Sequence, residues 1–349
     1  MSKHLVRTES ASAPERIDGR KRMLLKASIA ATAAAPMVLT HRRTEAQLVL
    51  PPSPPTTPWV EDLPNEITPL DLRTASATVL DPAPTEAANI AGGECGRASH
   101  QRFLELTGPG GVVGTPLQVQ LTAKENPSWL FNGNNPYYPA QPIWGYEGNT
   151  PGATTPGPTI FAKYGKSIIC RVRNELPQNH TGFGSPETST HLHNMHTPSE
   201  SDGFAADFYS PTQRGLTLTA PGSFNDHFYP NVYAGLDEFG GIGDSREALG
   251  SLFYHDHTEG VTAPNVLKGL FGRFMIFDDL DTGNETAGLR LPSHPYDYPL
   301  SFSDKRFDSG GRLTFDELGP EGTLGDKTVV NGKIEPVLRV ARRKYRLRL

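Results

Sequence analysis

Short stretches in which apolar and polar residues alternate recur along the chain and predict β-strands. A two-residue period puts successive side chains on opposite faces of a strand, and Gly-Pro, Pro-Gly and Asn-Gly pairs separate the stretches as turns do. The clearest stretches are 117–121, 167–172, 216–218 and 274–277. Only residues 245–252 indicate a short helix, and no strand–helix–strand rhythm or internal repeat occurs. The pattern predicts an all-β sandwich or barrel of the Greek-key kind.

The composition agrees with many turns between short strands. The 349 residues include 35 Gly and 32 Pro, together about 19% against an average usage of about 12%. Hydrophobic residues make up 36% and charged residues 20%, so the chain is long and apolar enough to bury a core. No window holds the ~20 apolar residues that a membrane helix needs. The composition argues against both a helical bundle and a membrane span.

The two ends of the chain differ from its middle. Residues 1–47 contain a basic patch, 20–26 (RKRMLLK), followed by a weakly apolar Ala-rich stretch, as in an export leader. The patch resembles a twin-arginine signal with Lys21 in place of the first arginine, which predicts a periplasmic or secreted protein. A disordered basic tail is the alternative. Residues 48–66 form a Pro-rich, extended lead-in. The final run, 338–349, alternates like a strand and stops without a turn, so the chain looks cut.

Between its basic ends the chain is acidic. Residues 50–338 hold 18 Lys or Arg and 34 Asp or Glu, a net charge of −16. A nucleic-acid surface needs clustered Lys and Arg, so a nucleic-acid partner is not expected. The two cysteines, Cys95 and Cys170, are too few for a disulfide scaffold. Cys170 lies in an apolar run, which favours a buried thiol over a single bridge to Cys95.

Five of the 11 histidines lie in two short segments, and the four that form His-x-His pairs are the candidate metal ligands. His196 is an additional histidine, for which a surface position is favoured over a place in the outer shell of the site. The first segment contains His191, His193 and His196, and the second contains His255 and His257. Residues i and i+2 of a strand face the same way, so each His-x-His pair presents two imidazoles from one face. Imidazole nitrogen suits Cu, Zn, Fe and Ni. One such pair is often solvent-facing, but two pairs 64 residues apart favour a metal site.

Sequence motifs around the histidines carry a family resemblance. In order they are 142–146 (PIWGY), 155–160 (TPGPTI), 172–177 (VRNELP), the first histidine segment with Asp202-Gly203, 254–257 (YHDH), 265–272 (NVLKGLFG), 298–300 (YPL), 304–307 (DKRF) and 330–333 (VNGK). These motifs, over about residues 115–349, resemble the N-terminal part of multicopper oxidases, in particular the bacterial spore-coat laccase and bilirubin oxidase branch. Asn194 departs from the family, which usually has Gly after the second histidine of the first pair.

The resemblance implies a role for each histidine of the two pairs. His191 would bind a type 2 copper, and His193, His255 and His257 would bind a type 3 copper pair. Together they would form half of a trinuclear cluster at which O₂ is reduced to water. Copper fits this chemistry because the one-electron steps need a redox metal, which Zn²⁺ is not. Asp202 matches an acidic residue near the type 2 copper, either holding water or an imidazole N–H or capping a turn.

The resemblance also implies a domain arrangement. Residues 67–285 would form a cupredoxin-like Greek-key sandwich, and 295–349 the incomplete start of a second cupredoxin-like domain. The family takes its other trinuclear ligands and its type 1 copper cysteine from a C-terminal domain with a His-Cys-His segment. Neither Cys95 nor Cys170 lies in such a segment. A C-terminal cupredoxin domain on another chain is one way of supplying these ligands.

These observations predict a copper-binding oxidoreductase that couples oxidation of an unidentified reducing substrate to O₂ reduction. A non-catalytic copper-binding cupredoxin, which stores or delivers copper or is completed by a partner, is the alternative. A cupin-type metalloenzyme is a third reading, since cupins also use His-x-His on a β-barrel. That pattern wants a Glu a few residues after the second histidine, and Glu200 comes seven residues after His193.

Overall fold

Most of the regular structure of the described residues lies between residues 117 and 349. The computed structural model describes residues 51–64, 69–73, 117–197, 201–204, 217–233, 243–247, 250–316 and 323–349. All of these belong to one unit that spans residues 51–349. The predicted leader, residues 1–47, lies outside the described residues, as do Cys95 and Glu200.

β-Strands dominate the secondary structure of the described residues, with one α-helix and one 3₁₀ turn. The strands are β1 (Leu70–Asp71), β2 (Leu117–Trp129), β3 (Gln141–Glu147), β4 (Gly157–Lys163), β5 (Ile168–Glu175), β6 (Thr190–Leu192), β7 (Phe224–Tyr229), β8 (Ser251–Asp256), β9 (Phe271–Phe277), β10 (Asp297–Pro299), β11 (Phe302–Lys305), β12 (Lys327–Val330), β13 (Lys333–Ile334) and β14 (Arg346–Arg348). The helix is α1 (Thr262–Lys268), and the 3₁₀ turn spans Ser245–Glu247.

Two sheets form the main body of the fold. One has five strands in the order β1-β4-β9-β8-β6, and the other has four in the order β3-β2-β5-β7. The pairs β1–β4, β4–β9 and β2–β5 are parallel, whereas β8 is antiparallel to both β9 and β6. Several neighbouring strands, such as β4 with β9 and β2 with β5, therefore come from distant parts of the chain, as in a Greek-key arrangement.

Side chains from the facing sides of the two sheets share one hydrophobic core. Leu121 and Cys170 come from the four-stranded sheet, and Tyr254 and Phe274 come from the five-stranded sheet, all at most 2% exposed. Burying a large apolar side chain contributes roughly 1.5–3 kcal/mol, so this shared core holds the sheets together. The predicted all-β sandwich is confirmed.

The residues after 296 form two smaller sheets. Strands β11, β12 and β13 make an antiparallel three-stranded sheet, and β10 pairs in parallel with β14. Phe307 belongs to a second hydrophobic core. Its ring packs edge-to-face against Phe131 and Tyr138, with ring centres 5.2 and 5.1 Å away. The division into domains at 67–285 and 295–349 stays a prediction.

The sequence pattern identified some strands and misassigned one segment. The stretches 117–121, 167–172 and 274–277 fall in β2, β5 and β9, as predicted. Within 216–218, Thr217 lies in a turn and Leu218 is in no strand, next to the isolated bridge between Thr219 and Thr188. The helix predicted over 245–252 is wrong at its end, because Leu252 belongs to β8 and packs into the shared core. Within the described ranges, no helix has the length and apolar character to cross a bilayer.

Candidate metal centre

The two histidine segments lie side by side on adjacent strands. Strands β6 and β8 are antiparallel, and their register places His191 directly opposite His255. His193 and His257 come just after the ends of these strands, and their backbone N–H groups donate to carbonyls of the opposite segment at 2.9 and 2.8 Å. The fold therefore brings together the four histidines that the sequence singled out.

All four imidazoles lie on the outer face of the five-stranded sheet. Leu192 and Tyr254 alternate with the histidines and are buried in the core between the sheets. Because successive side chains of a strand point to opposite faces, the neighbouring histidines point away from that core. The predicted sharing of one face holds within each pair and also across the two strands.

The imidazole rings are close enough to share metal ions. The ring centre of His191 is 4.9 Å from that of His193, 5.7 Å from His255 and 5.3 Å from His257. His255 is 5.0 Å from His193 and 5.1 Å from His257. With metal–nitrogen bonds of ~2 Å, two imidazoles on one metal have ring centres about 5 Å apart. The ring spacing and the imidazole donors are therefore compatible with a copper group that these rings share.

The cluster is a set of neighbouring donors rather than a closed cage. No three His, Cys, Asp or Glu side chains among the described residues are arranged to hold one ion by themselves. The ring spacing alone is compatible with shared metal ions, but the nitrogens do not yet converge on a single point. Further ligands from outside this set would be needed to complete a coordination sphere.

Backbone carbonyls fix the orientation of two of the rings. Nδ1 of His191 lies 2.5 Å from the carbonyl oxygen of Asp202, and Nδ1 of His255 lies 2.6 Å from that of Asp256. A carbonyl oxygen only accepts, so Nδ1–H donates in both cases and Nε2 keeps the lone pair. Metal-bound histidines in proteins commonly hold their second nitrogen in this way.

A hydroxyl group fixes the third ring more weakly. Nδ1 of His257 lies 3.4 Å from Oγ1 of Thr262, whose hydroxyl donates to the carbonyl oxygen of Thr258 at 2.9 Å. Because that hydroxyl proton is already used, the Thr262 oxygen accepts from Nδ1–H of His257. The lone pair of His257 is then also on Nε2.

Burial keeps part of the cluster uncharged. Burial, helped by the neighbouring histidines, lowers the pKa of His255 to about 4, although its hydrogen bond to the carbonyl oxygen of Asp256 opposes the shift. Burial also lowers the pKa of His193, and His191 and His257 add to this effect. Phe253 stacks on the His193 ring, with ring centres 4.2 Å apart and planes 18° from parallel, which keeps water from that side. A neutral imidazole is the form that binds a metal.

Asp202 contacts the cluster chiefly through its backbone. Its carbonyl oxygen accepts from His191, whereas its carboxylate lies 3.4 Å from the same nitrogen and accepts from the Thr197 hydroxyl at 2.8 Å. The next residue, Gly203, has φ +71°, and a Cβ there would overlap the carbonyl oxygen of Thr190 in β6. The Asp202-Gly203 turn is therefore packed tightly against the strand that carries His191.

A buried carboxylate behind the cluster was not singled out from the sequence. Asp256 lies between His255 and His257, but its side chain points inward and is fully buried. It accepts hydrogen bonds from the backbone N–H of Ser189 and from Asn265, each at 2.8 Å. Burial raises the pKa of this carboxyl to about 6. The only signal in the sequence was its place between two histidines, because a strand residue points to the opposite face from both of its neighbours.

The other described histidines and the described cysteine lie apart from the cluster. His196 pairs with Glu247 at 2.8 Å and is 56% exposed, as expected of a surface residue. His227 contacts the carbonyl oxygen of Ser201 at 2.9 Å, and His294 packs edge-on against a phenylalanine ring. Cys170 is a free, buried thiol of β5 in the other sheet, as favoured from the sequence.

A large groove adjoins the cluster on the same face of the sheet. Its volume is about 770 Å³, and its lining includes His255 together with Phe253, Phe271, Met275 and Phe302. Phe253 is 41% and Phe302 59% exposed. The outer face of a sandwich sheet is usually polar, so this apolar groove marks a surface suited to a partner or ligand.

Comparison with known proteins points to one family. The chain is 31% identical to the laccase of Bacillus subtilis (strain 168) over 238 residues, which is 60% of this chain and 41% of that protein. It is 31% identical to the laccase of Haloferax volcanii over 236 residues, covering 62% and 36%. For multicopper oxidase LPR2 of Arabidopsis thaliana the identity is 31% over 246 residues, covering 63% and 38%. The chain thus spans about two fifths of the length of these relatives.

Solved structures give a weaker likeness. A variant of the McoA multicopper oxidase from Aquifex aeolicus superposes with a TM-score of 0.48 and 26% identity, covering 67% of this chain and 42% of that one. The multicopper oxidase from Campylobacter jejuni, described as a metallo-oxidase, gives 0.44 and 18%, covering 82% and 44%. No protein-family profile matches the chain.

Proposed function

We propose that the chain belongs to the multicopper oxidase family and contributes half of a trinuclear copper site. The parent activity would be oxidation of a reducing substrate coupled to reduction of O₂ to water. One observation carries the proposal: four imidazoles from two distant segments lie together on one sheet face. Two of them have Nδ1 bonded to backbone carbonyls and Nε2 available.

Each histidine has a proposed role. His191 would bind the type 2 copper, and His193, His255 and His257 the type 3 pair. Bound copper would supply the one-electron steps that O₂ reduction needs. The chain's part is to present neutral imidazoles at a fixed spacing, with Phe253 covering one ring.

We assign Asp202 a supporting role at the type 2 position. Its backbone carbonyl orients His191, and its carboxylate is close enough to the same ring to hold a water molecule beside it.

We further propose that a cupredoxin-type domain covers the outer face of the five-stranded sheet. It would supply the remaining trinuclear ligands and the type 1 cysteine, since Cys170 lies buried in the other sheet. The apolar groove with its exposed Phe253 and Phe302 supports such a docking surface. Sequencing the genomic DNA beyond the Leu349 codon is a direct test, because a continuation with a His-Cys-His segment identifies the covering domain. A native stop codon there would favour a non-catalytic copper-binding chain.

The place of action is proposed from the leader. The basic patch at 20–26 and the Ala-rich stretch after it support export to the periplasm or the cell exterior. Fusing residues 1–47 to a reporter that works only after export tests this part. Replacing both Lys21 and Arg22 by Gln should then abolish export. Export that continues unchanged would contradict the proposed place of action.

Copper loading of the purified chain tests the metal site. We expect stoichiometric copper to stay bound after free metal is removed, without the intense blue absorption of a type 1 site. His255→Ala and His257→Ala should lower the copper content, whereas His294→Ala, outside the cluster, should keep it. Elemental analysis measures the content, and electron paramagnetic resonance (EPR) reports the ligand environment. Absence of copper uptake by the wild-type chain would overturn the ligand assignment.

A further inference from the structure

The carboxylate of Asp256 joins the two histidine segments from behind. Its Oδ1 accepts from the backbone N–H of Ser189 and from the hydroxyl of Thr258, each at 2.8 Å. Its Oδ2 accepts from Nδ2 of Asn265, also at 2.8 Å. All three donors are held within hydrogen-bond distance of one side chain that has no exposed surface.

These three donors come from separate elements around the cluster. Ser189 immediately precedes β6, which carries His191, and its carbonyl oxygen accepts from the backbone N–H of His257 at 2.8 Å. Asn265 belongs to α1 and also bonds the backbone N–H and carbonyl of Ser185, at 2.9 and 3.0 Å. One carboxylate therefore fixes the first histidine strand, the second histidine strand and the helix relative to one another.

The network has more polar connections than the packing of a sandwich requires. Burying a carboxylate in a core is costly, and an apolar residue of similar volume is often as stabilising. A fully satisfied polar network instead fixes a unique arrangement of the elements that it joins. Groups that orient metal ligands from behind typically change metal affinity by about 10–100-fold when they are removed.

We propose that Asp256 is a positioning residue for the copper cluster. Its carboxylate sets the spacing between His191 in the first histidine segment and His255 and His257 in the second. This inference rests on the proposed copper site. It predicts that weakening the network changes copper binding beyond any effect on overall stability. Copper affinity and the EPR spectrum of the bound copper are the readouts, because loss of fold stability alone leaves both unchanged in the folded fraction.

The experiment compares four variants of the full chain. Asp256→Asn places an amide N–H where a donor now bonds, and Thr258→Val removes one donor, whereas Thr258→Ser keeps the hydroxyl. Leu121→Ala lowers stability from the core of the other sheet, away from the network. The Kd for Cu²⁺ is measured by chelator competition, together with the EPR hyperfine splitting and the melting temperature.

We expect Asp256→Asn to raise the Kd for Cu²⁺ at least tenfold and to alter the hyperfine splitting. Thr258→Val should raise the Kd severalfold, Thr258→Ser should stay within twofold of wild type, and Leu121→Ala should melt earlier with wild-type copper binding. The proposal is overturned if Asp256→Asn and Thr258→Val both bind copper as the wild type does. It is equally overturned if Leu121→Ala weakens binding as much as they do.

Failure of a variant to fold and failure of the wild type to bind copper have separate consequences. If Asp256→Asn does not fold, the comparison of Thr258→Val with Thr258→Ser decides, and equal Kd values in that pair overturn the inference. If the wild-type chain binds no copper, the proposed function fails, and the inference fails with it. Copper binding by the wild type with no response to either network variant refutes the positioning role alone.

Discussion

Lys305 is a buried cation whose ionisation should limit the stability of the fold. It lies at the end of β11 with 2% of its surface exposed, and its ammonium group donates to the carbonyl oxygen of Leu267 at 2.5 Å. Burial lowers the pKa of this lysine to about 8, although the nearby Asp304 opposes the shift. We predict that the free energy of unfolding of Lys305→Met, relative to that of the wild type, is higher at pH 7 than at pH 10.

The magnitude follows from the difference between the folded and unfolded states. The ordinary pKa of lysine is ~10.4, and each unit of difference corresponds to about 1.4 kcal/mol. Keeping Lys305 charged in the fold therefore costs about 3 kcal/mol at neutral pH. Between about pH 8 and 10.4 the unfolded chain binds the extra proton, so the free energy of unfolding rises with pH over that range. Above that range this cost is absent.

Guanidinium chloride unfolding at pH 7 and pH 10 tests the prediction. The wild type and Lys305→Met are compared at each pH, so that groups common to both chains cancel. The advantage of the variant should be about 2.5 kcal/mol larger at pH 7 than at pH 10, because roughly 0.7 kcal/mol of the cost remains at pH 10. Loss of the hydrogen bond to Leu267 subtracts roughly 1–3 kcal/mol from the advantage at either pH without changing this difference.

A matched substitution separates burial from simple loss of charge. Lys166 is exposed in the turn before β5, so Lys166→Met removes one positive charge at the surface. The difference between this variant and the wild type should be the same at both pH values. A stability gap for Lys305→Met that does not change with pH would refute the reasoning, because it would mean that the buried amine titrates alike in both states.

One chemical modification and two substitutions give further predictions. In a Cys95→Ser chain, the Cys170 thiol, whose pKa burial raises, should resist a thiol reagent such as 5,5′-dithiobis(2-nitrobenzoate) at pH 8 and react fully in denaturant; rapid reaction in that native chain would contradict its burial. Asp226→Ala leaves the buried Arg171 guanidinium without its carboxylate at 2.7 Å and should lower the free energy of unfolding by about 3–5 kcal/mol; a loss below about 1 kcal/mol in chemical unfolding would show that the pair is dispensable. Gly203→Ala should lower the melting temperature more than Gly222→Ala, because both have positive φ but only Gly203 has backbone against the position of a Cβ; equal losses in the two variants would show that φ alone decides.

The face that carries the histidines could be predicted from the sequence, but its surroundings could not. The i, i+2 spacing of His191 with His193 and of His255 with His257 places each pair on one face, whatever sheet it joins. That the two pairs meet depends on the pairing of β6 with β8, between segments 64 residues apart. Local periodicity contains no information on such long-range pairing, so the resemblance to a family was needed to place the pairs together.

Contacts made by backbone atoms were equally beyond the sequence. Asp202 was selected for its carboxylate, yet its carbonyl oxygen makes the shorter contact to His191. The helix α1 has only seven residues and includes Pro264, so it shows too little of the helical period to be recognised. Leu252 was assigned to a helix because nearby residues favour one, whereas the shared core selects a strand at that position.

The facing of His191 and His255 on paired strands also restricts how this sequence can change over evolution. Inserting or deleting one residue in β6 or β8 would turn every following side chain of that strand to the opposite face of the sheet. The imidazoles would then enter the apolar core, and Leu192 and Tyr254 would take their places outside. Lineages that descend from this chain can therefore change by substitution, but a change of length by one residue within either strand is closed to those that keep the four imidazoles on one face.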